Sequence, residues 1–152
     1  IYMVLASQFG SFLQPLIIMV ALPLAAIGAF LALLIAGRSL DISAMIGIIL
    51  LMGIASKNSI ILIDFTNQLR TRGLSVKDAV LTAGPIRLRP VLMTSLALIF
   101  GMLPIALGLG EGSEFRSPMA ITVIGGLVSS TILTLFIIPC IYVAWEDVKK
   151  FL

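Results

Sequence analysis

Four long stretches almost empty of charge set the limits on what this chain can become. Leu16 to Ala36 is 21 residues without a charged side chain, and Ile42 to Ile63 is 22 residues with a single one, Lys57. Val91 to Leu109 and Met119 to Trp145 carry none. Crossing the roughly 30 Å hydrocarbon core of a bilayer takes about 20 apolar residues as helix, which alone with the closed barrel satisfies every backbone N–H and C=O internally. Each stretch reaches that length. The composition agrees, at 60% hydrophobic and 11% charged, where a soluble domain averages about 45–50% and about 25%. The 152 residues therefore read as an all-α membrane protein, a polytopic transmembrane helix bundle with no separate soluble domain.

Local signals set the expected boundaries. Pro15 suits a helix start and Pro23 should kink the first span, which is placed at 15–36. Asp41 caps the second, at 42–65. Pro90 introduces the third, at 88–109, and a small polar loop leads to the fourth, at 118–145. Residues 1–8 form a helix stub, since the apolar run Ile1 to Ala6 covers only about 9 Å as helix. With no initiator methionine and no basic flank of a signal peptide, Ile1 is read as an interior position of a longer protein. Between spans two and three, Ser75 and Asp78 make a capping box. Val76, Ala79, Val80 and Ala83 then share one helical face before Gly84 and Pro85. A short helix over 75–84, lying on the membrane surface as a connector, is expected.

Loop charge orients the spans. The 65–90 connection carries Arg70, Arg72, Lys77, Arg87 and Arg89, and the tail adds Lys149 and Lys150, against Arg38 and Arg116 on the other side. By the positive-inside rule the C-terminus is cytoplasmic. Tyr142 and Trp145 fall where an aromatic belt would lie. The net charge of +3 is thus a topology signal, and no nucleic-acid partner is expected. A single cysteine, Cys140, and no histidine leave no internal disulfide and no expected metal site.

Lys57 is the one charge deep in a span, and intramembrane ionisable residues are functional candidates by default. The bland alternative is snorkelling. Lys57 lies about 10 Å along the axis from Asp64, and a lysine stem of about 6 Å falls short of the interface. Gly53, Ala55, Ser56, Asn58 and Ser59 surround it with small or polar groups, which suits helix–helix packing and places Lys57 in the bundle interior. Asp64 shares its face but is too distant to pair. On the next helix, Thr94 and Ser95 sit at matching depth, although a membrane threonine commonly bonds its own backbone. Arg87 and Arg89 have the alternative role of topology anchors. No carboxylate of the chain lies level with Lys57, so an acidic partner is expected from another segment. Small-xxx-small pairs at Gly28/Ala32, Ala97/Gly101, Gly125/Ser129 and Gly126/Ser130 mark candidate packing faces. A serine–lysine catalytic pair is disfavoured, because adjacent Ser56 and Lys57 point about 100° apart on a helix.

The run from Gly53 to Phe65 (GIASKNSIILIDF) and Arg87 to Ser95 (RLRPVLMTS), with Gly-Met-Leu-Pro at 101–104 and the glycine pair at 125 and 126, resembles the C-terminal transmembrane region of resistance-nodulation-division (RND) multidrug efflux pumps of the hydrophobe/amphiphile branch. The likeness covers the end of helix eight and helices nine to twelve of a twelve-helix transporter. It implies a proton-driven antiporter in the bacterial inner membrane that exports drugs or other amphiphilic compounds. It also implies a homotrimer working with a periplasmic adaptor and an outer-membrane channel, with the proton as coupling ion and no other cofactor. Lys57 matches the family's lysine that pairs with two aspartates on another helix, Thr94 its relay threonine and Arg87 its arginine at the following helix start; Asn58, Ser95 and Asp64 are supporting candidates. The acidic pair is not in this chain. The heavy-metal branch is disfavoured, being expected to lack lysine at position 57. The alternative reading is a non-transporting structural or accessory membrane fragment.

Overall fold

A computed structural model describes all 152 residues as six α-helices and no strand: α1 (Tyr2–Phe9), α2 (Gln14–Met19), α3 (Ala21–Ala36), α4 (Ile42–Thr71), α5 (Val76–Ala106) and α6 (Ser113–Phe151). Taken together, α2 and α3 form one 23-residue crossing, and α4, α5 and α6 are also long and apolar enough to cross a membrane. The chain is an all-α, multi-pass membrane bundle.

The break between α2 and α3 falls at Val20. Its cause is Pro23, whose ring nitrogen cannot donate to the carbonyl of Met19, so the helix loosens one turn before the proline itself. Pro15 sits in the first turn of α2, where a missing N–H is harmless. Gly37 ends α3 in the left-handed region at φ 66°, and Arg38 N–H donates to the Leu33 carbonyl at 3.1 Å. Asp41 caps α4, its Oδ1 accepting from Ala44 N–H at 2.9 Å.

Three helices run beyond their expected spans, α4 by continuing to Thr71. The expected surface helix over 75–84 does not exist as a separate element: α5 starts after Ser75 and continues through Gly84, Pro85 and Pro90 to Ala106. The face predicted to lie on the membrane packs inward instead. Ala79 and Ala83 are fully buried in a core cluster with Leu62, Leu69, Ile138 and Tyr142, which fixes the direction of the segment before Pro85, and Val91 and Ser95 are buried after it. Leu81, whose carbonyl Pro85 leaves without a donor, is an exposed residue. Burial of one face thus outweighs the local stop signal. Likewise α6 begins at Ser113, inside the expected loop, with Ser117 Oγ donating to the Ala106 carbonyl at 3.0 Å.

At the centre stands α6, packed against α3, α4 and α5. Its closest neighbour is α3. A Cβ on Gly28 would lie 2.9 Å from the Gly125 carbonyl and would strike Ser129, and one on Gly125 would strike Ala32. The small pairs Gly28/Ala32 and Gly125/Ser129 are therefore two halves of one contact, which Ser129 Oγ completes by donating to the Leu24 carbonyl at 3.3 Å. Gly101, by contrast, faces open space. A second core cluster, built from Ala25, Ala29, Leu51, Ala55, Val123 and Leu127, fills the end of the bundle away from the C-terminus.

Candidate functional site

Lys57 stands in the middle of α4, on the side away from the core. The inner stripe of that helix is Leu51, Ala55, Asn58, Ser59, Leu62, Thr66 and Leu69, all buried. Lys57 and Gly53 are exposed on the other face, and a Cβ added to Gly53 would meet nothing. The expectation of Lys57 inside this bundle is corrected. The small residues around it lie on both sides of the helix, and Ala55, Asn58 and Ser59 are the ones that meet neighbours.

The lysine opens instead onto a groove of ≈ 530 Å³, walled by Val4, Leu5 and Gln8 of α1 and by Ser56, Ile60 and Ile61 of α4. The backbone of α1 approaches only α2, which keeps this groove open. Lys57 has no carboxylate partner in the chain, whose one ion pair is Arg70–Glu146. Asp64 is exposed further along α4 and accepts from Gln68 Nε2 at 3.1 Å.

The other predicted residues are divided among different contacts. Thr94 is exposed on α5 and donates to its own helix, Oγ1 to the Pro90 carbonyl at 3.0 Å. Neighbouring Ser95 is buried and shares a 2.9 Å hydrogen bond with Thr131 of α6, so adjacent hydroxyls serve opposite sides of one helix. Arg87 reaches from α5 to α4, its guanidinium 4.4 Å from the centre of the Phe65 ring. This cation–π contact joins the helix of Lys57 to the helix of Thr94. The Arg87 Nε is buried without a hydrogen-bond partner. Asn58 is buried on the inner stripe.

One polar constellation was not foreseen. At the end of the bundle that carries the C-terminus, Arg70 of α4 donates through Nη1 to Glu146 Oε1 at 2.9 Å and through Nη2 to Oε2 at 3.4 Å. Arg70 Nη1 also donates to Tyr142 Oη at 2.9 Å. The tyrosine hydroxyl donates in turn to Asn67 Oδ1 at 2.7 Å, and Asn67 Nδ2 donates to Gln14 Oε1 at 3.0 Å. Three helices are tied together by this chain of bonds. Its sequence signal is the spacing: Asn67/Arg70 and Tyr142/Glu146 are three and four apart, which puts each pair on one helix face. Counting Arg70 as loop charge and Tyr142 as a belt residue concealed it.

A bundle of four membrane-length crossings defines the class of multi-pass integral membrane proteins. The model of the AcrB/AcrD/AcrF family matches residues 1–146, and the chain is a member of that RND efflux transporter family. Two crystal forms of a heavy metal efflux pump share its structure. One is 38% identical with a TM-score of 0.87 over 96% of this chain, and the other is 40% identical with a TM-score of 0.79 over 88%. This chain spans 15% and 13% of the length of those two chains.

Proposed function

We propose that this chain supplies the lysine-bearing side of the proton relay in a proton-driven antiporter that exports amphiphilic organic compounds. The observation that carries the reading is Lys57: an ammonium midway along a membrane-length helix, on an open groove, with no carboxylate of its own chain to pair with. A lone charge there is expensive unless another segment brings an acidic partner to that face. Ionised carboxylates would hold Lys57 by ion pairing, and protonation would weaken the attraction and release the helix. Moving one charge through the membrane field yields about 2.3 kcal/mol per 100 mV, enough to bias such a two-state element. Thr94 on the exposed face of α5 is the candidate hydroxyl of the relay, and Arg87, stacked on Phe65, is the coupling between α4 and α5.

The setting we propose is the bacterial inner membrane, with the C-terminus cytoplasmic. The assembly is a homotrimer served by a periplasmic adaptor and an outer-membrane channel. In the complete transporter, Lys57→Ala is expected to abolish efflux while expression and assembly persist. Near-normal proton-coupled efflux by that variant would remove the relay role. A second reading, export of heavy-metal ions, is favoured by the 38% and 40% identical pumps. Growth of a pump-deficient strain carrying the transporter separates the two: resistance to dyes and detergents supports the first reading, and resistance confined to silver, copper or zinc salts supports the second. An accessory, non-transporting role would give neither resistance.

A further inference from the structure

A second open groove, of ≈ 530 Å³, runs between the start of α5 and the end of α6 and is lined by Val80, Leu81, Pro139 and Val143, with Lys77 and Asp147 among its lining residues. Both charged residues are exposed. They face one groove from opposite helices yet form no ion pair, the only one in the molecule being Arg70–Glu146. An apolar trough with an unused cation on one wall and an unused anion on the other is complementary to an amphiphile whose head carries both charges.

We infer that this groove binds phosphatidylethanolamine, with an acyl chain along Val80, Leu81, Pro139 and Val143, the phosphate on Lys77 and the primary ammonium on Asp147. Its volume lies within the range of about 300–1,000 Å³ typical of single-ligand sites. Its position agrees: Lys77 is in the first turn of α5, Asp147 is in the last turns of α6, and Trp145, at the same level of α6 on another face, is exposed, as in an aromatic belt at headgroup level. Phosphatidylglycerol would satisfy Lys77 but offers no cation to Asp147. Phosphatidylcholine carries both charges, but its quaternary nitrogen has no N–H to donate to a carboxylate.

Native mass spectrometry of the purified transporter containing this chain, titrated with each of the three lipids, tests the assignment. Phosphatidylethanolamine should be retained about fivefold more strongly than phosphatidylcholine, the ratio that an exposed ion pair of ordinary strength supports. Asp147→Asn should erase that preference, Lys77→Gln should weaken retention of both zwitterionic lipids alike because they share the phosphate, and Lys149→Gln, outside the groove, should change neither. Ala144 also lines the groove, and Ala144→Trp, which fills it, should remove one bound lipid. Equal retention of the three lipids, a preference for phosphatidylglycerol, a preference indifferent to Asp147, or retention indifferent to Lys77 would each overturn the proposal.

Discussion

At the residue scale, direction decides more than identity. Thr94 and Ser95 are adjacent and chemically alike, yet one is turned outward onto the Pro90 carbonyl and the other is locked to Thr131. Periodicity supplies the angle between them, about 100°, but not which of the two faces a partner. Arg70 shows the same limit. Its charge was legible, while its role depends on Tyr142 and Glu146, more than seventy positions away along the chain. Replacing Arg70 with Met should destabilise the bundle by about 1–2 kcal/mol, because Glu146 and Tyr142 would keep their burial and lose their donor. Thermal unfolding in detergent measures this. The double variant Arg70→Met/Glu146→Gln should recover part of the loss, and additive losses would show that the pair is not coupled.

At the element scale, α5 behaves differently from its local signals. Gly84-Pro85 is a strong stop, yet α5 runs through it, since Ala79 and Ala83 before the proline and Val91 and Ser95 after it are buried against the rest of the bundle. Pro85→Ala should therefore leave the fold intact and raise stability by about 1–3 kcal/mol, as the interior proline penalty is relieved. Spin labels at Lys77 and Arg89 should report one unchanged distance, and a large change would mean that the proline sets an angle the helix needs. The α3–α6 contact is the opposite case, in which the sequence pattern pointed correctly to packing. Gly125→Leu should separate these helices, with a loss of several kcal/mol, since the side chain has only Ala32 and the Gly28 backbone to displace. Wild-type melting of that variant would mean the two helices are not as close as described.

At the scale of the whole molecule, charge placement gives a topology that can be measured. Seven of the ten basic residues fall in the 65–90 segment and the tail, so reporter fusions at Gly73 and after Leu152 should be active on the cytoplasmic side, and one at Glu111 on the other. Any other pattern would reverse the proposed orientation of Lys57 in the membrane field. The same scale explains why an exposed lysine is the candidate of most interest. A face of α4 that this chain meets only at the α1 wall of an open groove is where a further segment has room to reach Lys57.

Membrane residence and the number of crossings follow from apolar run length, because bilayer thickness and backbone hydrogen bonding allow few alternatives. The resemblance carried by Lys57, Arg-Leu-Arg-Pro and Met-Thr-Ser was legible for the same reason: it is written in contiguous residues. Which face of each helix is inside was not. In a helix apolar on every side, with small residues scattered around it, hydropathy has no direction to report. Only the packing of α6 against α2, α3, α4 and α5 turned Lys57 outward, continued α5 through its proline, and joined Gln14, Asn67, Arg70, Tyr142 and Glu146 into one network.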